Sequence, residues 1–393
     1  MKKLMIPALL MALIGCGNPQ VKMVAAFKGG EPQLDAESVE APFTIEGSHL
    51  MRVNLLCNGR EVPMTLDTGG ITMMDVSLAD TLGLEVQKLN EQMGVAPVED
   101  IALGGAHVLG LKTSLMNFSQ TFKTEKFGLH GLLGSDWLRH FCTTIDYGRG
   151  TLTFRQPQKL HRSGKGDHLL KMTVVMPYLP TVPAVVNGDM KLPALVDTGL
   201  HYGLVMPMSL LDRLPADQQA KAVPADGWFA RWPFPGPTRS VLVRVGEVRI
   251  GDIVLRDQPV LFADVPQFLG ENIMLLGKYF LDDYITTLDY KHRQVLLSET
   301  TAEEESVTYS FGFNVTSEGG VWSVCGLWHG SPAQSAGMAL GDELLAVDGT
   351  PMSELPLGTL MARMVDPQVK TVTLLLRNAD GERTVSLEKK ELL

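Results

Sequence analysis

Val62-Pro63-Met64-Thr65-Leu66-Asp67-Thr68-Gly69 and, 130 residues later, Leu192-Pro193-Ala194-Leu195-Val196-Asp197-Thr198-Gly199 follow one pattern: an apolar strand runs into an acid, a hydroxyl and a glycine. At average usage a single Asp-Thr-Gly arises by chance about once in several thousand positions. Two copies with matching flanks carry far more weight. The likeness extends outward, because Gly131-Leu132-Leu133-Gly134-Ser135-Asp136-Trp137-Leu138 leads to Thr144-Ile145-Asp146-Tyr147. Its counterpart, Met274-Leu275-Leu276-Gly277-Lys278-Tyr279-Phe280-Leu281, leads to Thr287-Leu288-Asp289-Tyr290. Each copy closes on an alternating stretch, residues 151–154 and 294–297, as a half-buried strand should. The closing motifs are 143 residues apart, so the second copy carries the longer insertion. Duplicated β-rich units with short strands and Gly-rich turns predict two barrel-like halves related by a pseudo-twofold axis, which would set equivalent loops face to face.

These residues resemble the pepsin and retropepsin class of aspartic proteases, and especially the bacterial retropepsin-like type, whose lobes end in a Leu-Gly-x-x-x-Leu helix and an Ile-Asp-Tyr strand. The resemblance covers roughly residues 43–298. It implies a mainly β, bilobal pair of β-barrels that hydrolyses peptide bonds in peptide or protein substrates, with no cofactor and no metal. Asp67 and Asp197 are then the catalytic carboxylates. Two such groups about 3 Å apart cannot both ionise and share one proton, so one activates water while the other protonates the amide. The pair titrates as a unit. Gly69 and Gly199 let the backbone turn sharply beside each carboxylate. In the family, Thr68 and Thr198 lock the loops across the twofold, and the Leu133-Gly134 and Leu276-Gly277 turns pack beneath them. With both loops in one chain, a monomer is expected.

The pattern departs from the family after each Asp-Thr-Gly, where Ala or Ser is usual and Gly70 and Leu200 stand here. The bulk of Leu200 keeps open an alternative, a catalytically inactive peptide-binding scaffold on the same lobes. His201 either tunes the dyad or is an ordinary loop histidine. A flap over the substrate has only residues 84–100 available in lobe one. Lobe two carries an aromatic insertion, Trp228-Phe229-Ala230-Arg231-Trp232-Pro233-Phe234-Pro235, which suits either a cleft lining or a packed loop.

The N-terminus places Lys2 and Lys3 before an apolar run, Leu4 to Ile14, too short to span a bilayer. It closes on Leu13-Ile14-Gly15-Cys16, which resembles the bacterial lipoprotein signal. That implies removal of residues 1–15, lipid on Cys16, membrane attachment through that lipid, and export. Gly17 is not the Asp that commonly retains such proteins at the inner membrane, which favours the periplasmic face of the outer membrane. A secretory peptide with a chance cysteine is the other reading. Residues 16–42, with scattered Gly and Pro, read as a tether. Cys57, Cys142 and Cys325 remain, with a Cys57–Cys142 bridge or buried free thiols both open.

Beyond lobe one (43–155), an inter-lobe linker (156–167) and lobe two (168–298), an acidic stretch at 299–306 reads as a second linker. Residues 307–393 hold Ser310-Phe311-Gly312-Phe313, then Gly330-Ser331-Pro332-Ala333, Ala336-Gly337-Met338 and Gly341-Asp342-Glu343-Leu344 through Gly349. This order resembles a PDZ domain, a small β-barrel with helices. The resemblance implies that Phe311, Gly312 and Phe313 present amides to a peptide's C-terminal carboxylate, that residues 313–315 pair with the peptide as an added strand, and that a helix near 355–365 walls the groove.

Several functions are disfavoured. The net charge is −10 across 393 residues and basic residues do not cluster, which argues against nucleic acid. Nine histidines include no His-Glu-x-x-His, so no metal is expected. Ser331 lacks a Gly-x-Ser-x-Gly setting. Gly270 to Lys278 fails as a phosphate loop, with too many residues between glycines and Tyr279 where Ser or Thr is needed.

Overall fold

Alternating and continuous apolar runs of this kind have one economical solution, pleated strands whose inner faces share a core. The computed structural model describes residues 29–393 apart from 48, 123, 125, 126, 176, 232–235, 267, 268, 301–307, 356 and 367. The chain is mainly β, with two closed six-stranded barrels. The expected signal segment, Cys16, the first part of the tether, most of the 299–306 linker and Trp232–Pro235 lie outside the described residues. By contacts the chain divides into two units. One holds residues up to Ile45, Leu50–Thr181 and Tyr284–Glu299; the other holds Glu46–His49, Val182–Asp283 and Thr300–Leu393.

In the first unit the strand Leu50–Cys57 pairs antiparallel with Arg60–Leu66 and buries alternate residues, Met51, Val53, Leu55 and Cys57. A long hairpin, Met93–Leu103 with Ala106–Met116, extends the same sheet. The short strand Gly131–Leu133 then runs parallel to the end of the Asp67 strand, Leu132 opposite Thr65 and Leu133 opposite Leu66.

A six-stranded sheet completes this unit. At its middle the closing strands of the two repeats, Cys142–Asp146 and Tyr284–Asp289, pair antiparallel with Thr144 opposite Thr287. Their Oγ1 atoms are 2.9 Å apart. Thr144 and Thr287 are equivalent positions of the repeat, and an antiparallel pair centred on equivalent residues has a local twofold through it.

This sheet redraws two expected boundaries. Lobe two does not occupy 168–298 as one body, because Asp167–Lys171, Tyr284–Asp289 and Gln294–Glu299 find their ladder partners in the first unit's sheet. The tether expected over 16–42 is strand in its last part. Glu31–Leu34 pairs with residues 106–109, and Ser38–Pro42 pairs with Thr151–Arg155 while burying Val39 and Ala41. Two free sheet edges outweigh the weak alternation of so short a sequence.

The second unit repeats the plan. The Asp197 strand, Met190–Val196, lies parallel to Met274–Leu276, and the long hairpin is Ser240–Ile250 with Ile253–Ala263. The departure is the strand Val223–Gly227. It pairs first with the hairpin, Val223 opposite Leu242, and then with Val321–Trp328 of the C-terminal block, Asp226 opposite Leu327. One 14-stranded sheet results. Residues 307–393 have their own core, in which Phe311, Leu344, Leu360 and Leu374 are fully enclosed. They are nevertheless not the separate compact body expected behind a linker, since ladder bonds and the stacking of Phe229 on Trp328 at 4.1 Å join them to residues 182–283.

Of the two readings of the cysteines, the bridge is absent: Cys57, Cys142 and Cys325 are free and buried. Cys57 and Cys142 lie in different sheets. Burial pushes their thiols up to about 12 for Cys57, about 11 for Cys142 and about 12 for Cys325.

All three thiols should therefore resist alkylation in the native protein at pH 8 and react only in denaturant, because the thiolate is the nucleophile. Rapid labelling of any of them by Ellman's reagent in the folded state would contradict this packing. A second test concerns Gly134 and Gly277. A Cβ on Gly134 would lie 2.4 Å from the Ile71 backbone, and one on Gly277 2.0 Å from the Tyr202 carbonyl. Backbone cannot yield as a side chain can, so either Gly→Ala change should cost at least about 3 kcal/mol. Gly164→Ala, which meets open space, should be nearly neutral. Urea midpoints of the three variants decide it.

Candidate active site

Both Asp-Thr-Gly segments are loops hung between a strand and a crossing turn, and the two are built alike bond for bond. Asp67 donates its N–H to the Leu133 carbonyl at 3.0 Å, and Asp197 donates to Leu276 at 2.9 Å. Each loop then turns back on its own carboxylate, with Gly69 N–H donating to Asp67 Oδ1 at 2.7 Å and Gly199 N–H to Asp197 Oδ1 at 3.1 Å. Gly70 and Leu200 donate to the main-chain carbonyls of the two aspartates, both at 3.3 Å. The helix after each crossing turn closes the unit: Ser135 N–H reaches the Gly70 carbonyl at 2.9 Å, and Lys278 N–H reaches Leu200 at 2.8 Å. An amide aimed at a carboxylate favours its charged form and fixes its orientation. Thr68 and Thr198 are fully buried.

The glycine after each Leu is what admits the loop. At Gly134 the backbone of Gly70 and Ile71 passes where a Cβ would stand, and at Gly277 that of Leu200 and Tyr202 does. Leu200, where the resemblance leads one to expect Ala or Ser, is 8% exposed. Its Cγ packs on Gly277 beneath the loop, so its bulk is taken up inside the lobe. Gly70 is closely surrounded, since a Cβ there would lie 3.1 and 3.2 Å from the Leu132 methyls and 3.3 Å from Asp67 Oδ2.

Support beneath the loops differs between the repeats, and sequence reasoning passed over it. In lobe one buried Asp136 accepts at Oδ1 from Thr72 Oγ1 at 2.6 Å and from Thr72 N–H at 2.8 Å. Burial pushes its carboxyl up in spite of these bonds. Ser135 Oγ donates to the Thr68 carbonyl at 2.6 Å and lies 2.9 Å from the buried Tyr290 hydroxyl. The positions equivalent to Thr72 and Asp136 are Tyr202 and Tyr279. Between these two rings lies His201, with centroids 5.2 and 4.9 Å away and His49 at 5.3 Å. A signal was present in the repeat: the two positions change together, from a hydrogen-bonding pair to an aromatic one.

His201, left open between two roles, is thus packed against aromatic rings with its Nδ1 buried and, in the structure, given no hydrogen bond. Burial, then the neighbouring His49 and Lys278, hold it well below the ordinary histidine value. Burial and Lys278 lower His49 to about 4.

The stretch expected to hold a flap is a hairpin. Gln87–Lys88 pairs with Gly94 and Val95, and its tip is closed by Asn90 Oδ1, which accepts from Gln92 and Met93 amides. Its topological counterpart in lobe two is Val223–Gly227, the strand that continues onto the C-terminal block. The aromatic insertion beyond it packs, at Phe229, on Trp328.

In the C-terminal block, Gly312 has φ +85 and lies where a Cβ would meet Ser331 Cβ at 2.0 Å, so only glycine fits between Phe311 and Phe313. Trp328 N–H donates to the Gly312 carbonyl at 2.9 Å. The antiparallel alternation then turns the Phe313 N–H to the opposite side of the strand Phe313–Glu318, which has a ladder partner on one side only among the described residues. Lys389, 2% exposed, sits behind this loop with its Nζ 5.1 Å from the Phe311 ring. Ser331 caps the helix Pro332–Ser335, accepting from Gln334 N–H.

Comparison with known proteins bears on the second repeat. The crystal structure of basic 7S globulin from soybean is similar over 67% of this chain and 95% of that chain, at 13% identity and a TM-score of 0.36, an overlap too loose to carry an argument. No curated protein matches. The aspartyl protease family model matches residues 182–280, a span that contains the Asp197 loop, its crossing strand and Gly277. By its own sequence, the second repeat is similar to the aspartyl proteases.

Proposed function

We propose that the chain is an aspartic endopeptidase in which Asp67 and Asp197 form one dyad, with residues 307–393 a PDZ-like domain that binds peptide C-termini. The observation that carries this reading is the bond-for-bond identity of the two Asp loops. The antiparallel pairing of the two repeats' closing strands at the equivalent residues Thr144 and Thr287 supports it, because it is what a duplicated lobe predicts.

In this reading one carboxylate, held by its loop glycine, takes a proton from water as the water attacks the scissile carbonyl. The protonated partner donates to the carbonyl oxygen, giving a neutral tetrahedral diol. Collapse of the diol breaks the C–N bond as a proton passes to the nitrogen, and the products are a new carboxyl terminus and a new amine. Water supplies every atom added, and no metal or covalent nucleophile is required. The inward packing of Leu200 supports this reading over the inactive scaffold. Lipidation at Cys16, attachment to the outer membrane's periplasmic face and a monomeric state belong to the same proposal.

Asp67→Asn or Asp197→Asn should each abolish cleavage of casein or a peptide library with folding intact, and the double variant should be no worse, since groups acting as a unit are non-additive. Statine-type inhibitors should block activity. Full activity with either aspartate replaced ends the dyad reading. A wild type that neither cleaves nor binds such inhibitors leaves the binding scaffold in its place.

The shared proton predicts a bell-shaped rate profile with an acidic optimum. His49 adds a second pH effect of opposite sense. It stays neutral in the fold down to about 4, whereas in the unfolded chain it takes up a proton near 6.5. The unfolded state therefore binds more protons between these values, and stability is lost as pH falls from about 6.5 toward 4, by on the order of 2–3 kcal/mol. His201 acts in the same direction. Denaturant unfolding at pH 7 and pH 4.5 should show this loss; equal stability at both would contradict the buried neutral histidines.

A further inference from the structure

The strand that a peptide would join in the C-terminal block is already engaged, and by its own side chain. At the register shift between Asn314 and Val315, the Val315 N–H donates to Asn314 Oδ1 at 3.0 Å. The same side chain donates from Nδ2 to the Trp228 carbonyl at 3.2 Å. Its orientation is unambiguous, because an amide N–H can only donate and a carbonyl can only accept. Asn314 thus stands where a ligand strand's carbonyl would go, and it holds the lobe-two insertion with its other end.

From Trp228 the contacts lead to the Asp197 loop. Trp228 N–H donates to the carbonyl of Cys325, the extra residue at the strand irregularity, and Gly326 lacks the Cβ that would collide with the Trp228 carbonyl at 2.3 Å. The next residue, Phe229, accepts at its carbonyl from the Tyr202 hydroxyl at 3.2 Å. Tyr202 is five residues past Asp197, and its own carbonyl is packed on the α-carbon of Gly277. Every link lies within the second unit.

We propose that the groove beside Phe313–Glu318 is a product-sensing site, in which a bound C-terminal carboxylate peptide displaces Asn314 from Val315, releases Trp228 and Phe229, and thereby slackens the Tyr202 anchor of the Asp197 loop. The inference rests on the endopeptidase and groove readings above. Its chemical logic is that every cleavage creates a free α-carboxylate at the end of an extended peptide, the ligand class such a groove selects. Occupancy then lowers turnover. A ligand shifts an equilibrium only by its differential affinity for the two states, and here the difference is the competition for one N–H. Asn314 and Tyr202 are positioning residues and touch no reacting atom.

The test uses the mature full-length chain and an internally quenched peptide substrate with both termini blocked. Effectors are a random octapeptide mixture with free C-terminal carboxylates and the same mixture amidated. The carboxylate mixture should lower kcat about fivefold with little change in KM, and the amidated mixture should have no effect. Asn314→Asp keeps an acceptor for Val315 but loses the donor to Trp228, so it should bind the mixture and lose the rate response. Asn314→Ala should bind it more tightly and also lose the response. Tyr202→Phe should bind the mixture at least as tightly as the wild type and remove the response. If wild-type turnover is indifferent at saturation, or if Asn314→Asp responds fully, the proposal is overturned. Should the chain cleave nothing, hydrogen exchange at residues 200–203 and inhibitor affinity report the coupling: a change on saturation upholds it while the endopeptidase reading fails alone, and no change overturns it. Absence of any binding of the carboxylate mixture overturns both the proposal and the groove reading and leaves the dyad untouched.

Discussion

At Gly134 and Gly277 the backbone of an Asp loop passes so close to an α-carbon that no side chain fits between them. The rest of each lobe is arranged around that crossing. It brings the carbonyl of Leu133 or Leu276 to the aspartate N–H and sets the first helical N–H of residue 135 or 278 on the loop's far carbonyl. The short strand before the glycine is in turn held parallel to the Asp strand. A loop tied at both ends and bonded to its own carboxylate has little freedom left, which is the condition for a carboxylate to be aimed and kept aimed.

The two repeats reach this geometry with different materials. Lobe one uses a buried carboxyl, Asp136, whose Oδ1 accepts from both the hydroxyl and the N–H of Thr72. Lobe two uses rings, with Tyr202, Tyr279 and a neutral His201 in contact. A buried polar pair is costly to disturb on one side only, while an aromatic cluster tolerates repacking. The repeat has kept the backbone bonds, which have few solutions, and varied the side chains beneath them, which have many.

The same asymmetry explains why lobe two is the one joined to the C-terminal block. Its long hairpin is flanked by a strand that outruns its partner, and the unpaired end continues onto Val321–Trp328. The corresponding strand of lobe one is the two-residue Gln87–Lys88, which ends in a tight turn closed by Asn90. The short hairpin strand of one lobe is thus a bridge in the other. At the opposite end of the chain, residues 31–42 occupy two further sheet edges, an arrangement that also protects those edges from other chains.

The sequence by itself determined the repeat, and with it the β class, the two Asp loops, the crossing glycines and the place of Phe311-Gly312-Phe313, because each depends on local pattern: strand alternation, a turn that only glycine can make, an acid at the strand's end. What only the tertiary structure decided depends on partners far away in sequence. Residues 38–42 are too short to declare themselves a strand until a sheet edge offers bonds, and the same holds for the five residues Val223–Gly227. Cys57 and Cys142 gave no sign of lying in different sheets. The bulk of Leu200 looked like an obstruction until its packing on Gly277 gave it a direction. Asn314 could have been any polar strand residue; its two hydrogen bonds exist because a register shift and a segment 86 residues away meet there. Periodicity is written in neighbouring residues, whereas edges, free volumes and hydrogen-bond partners come into being only when distant segments are brought together.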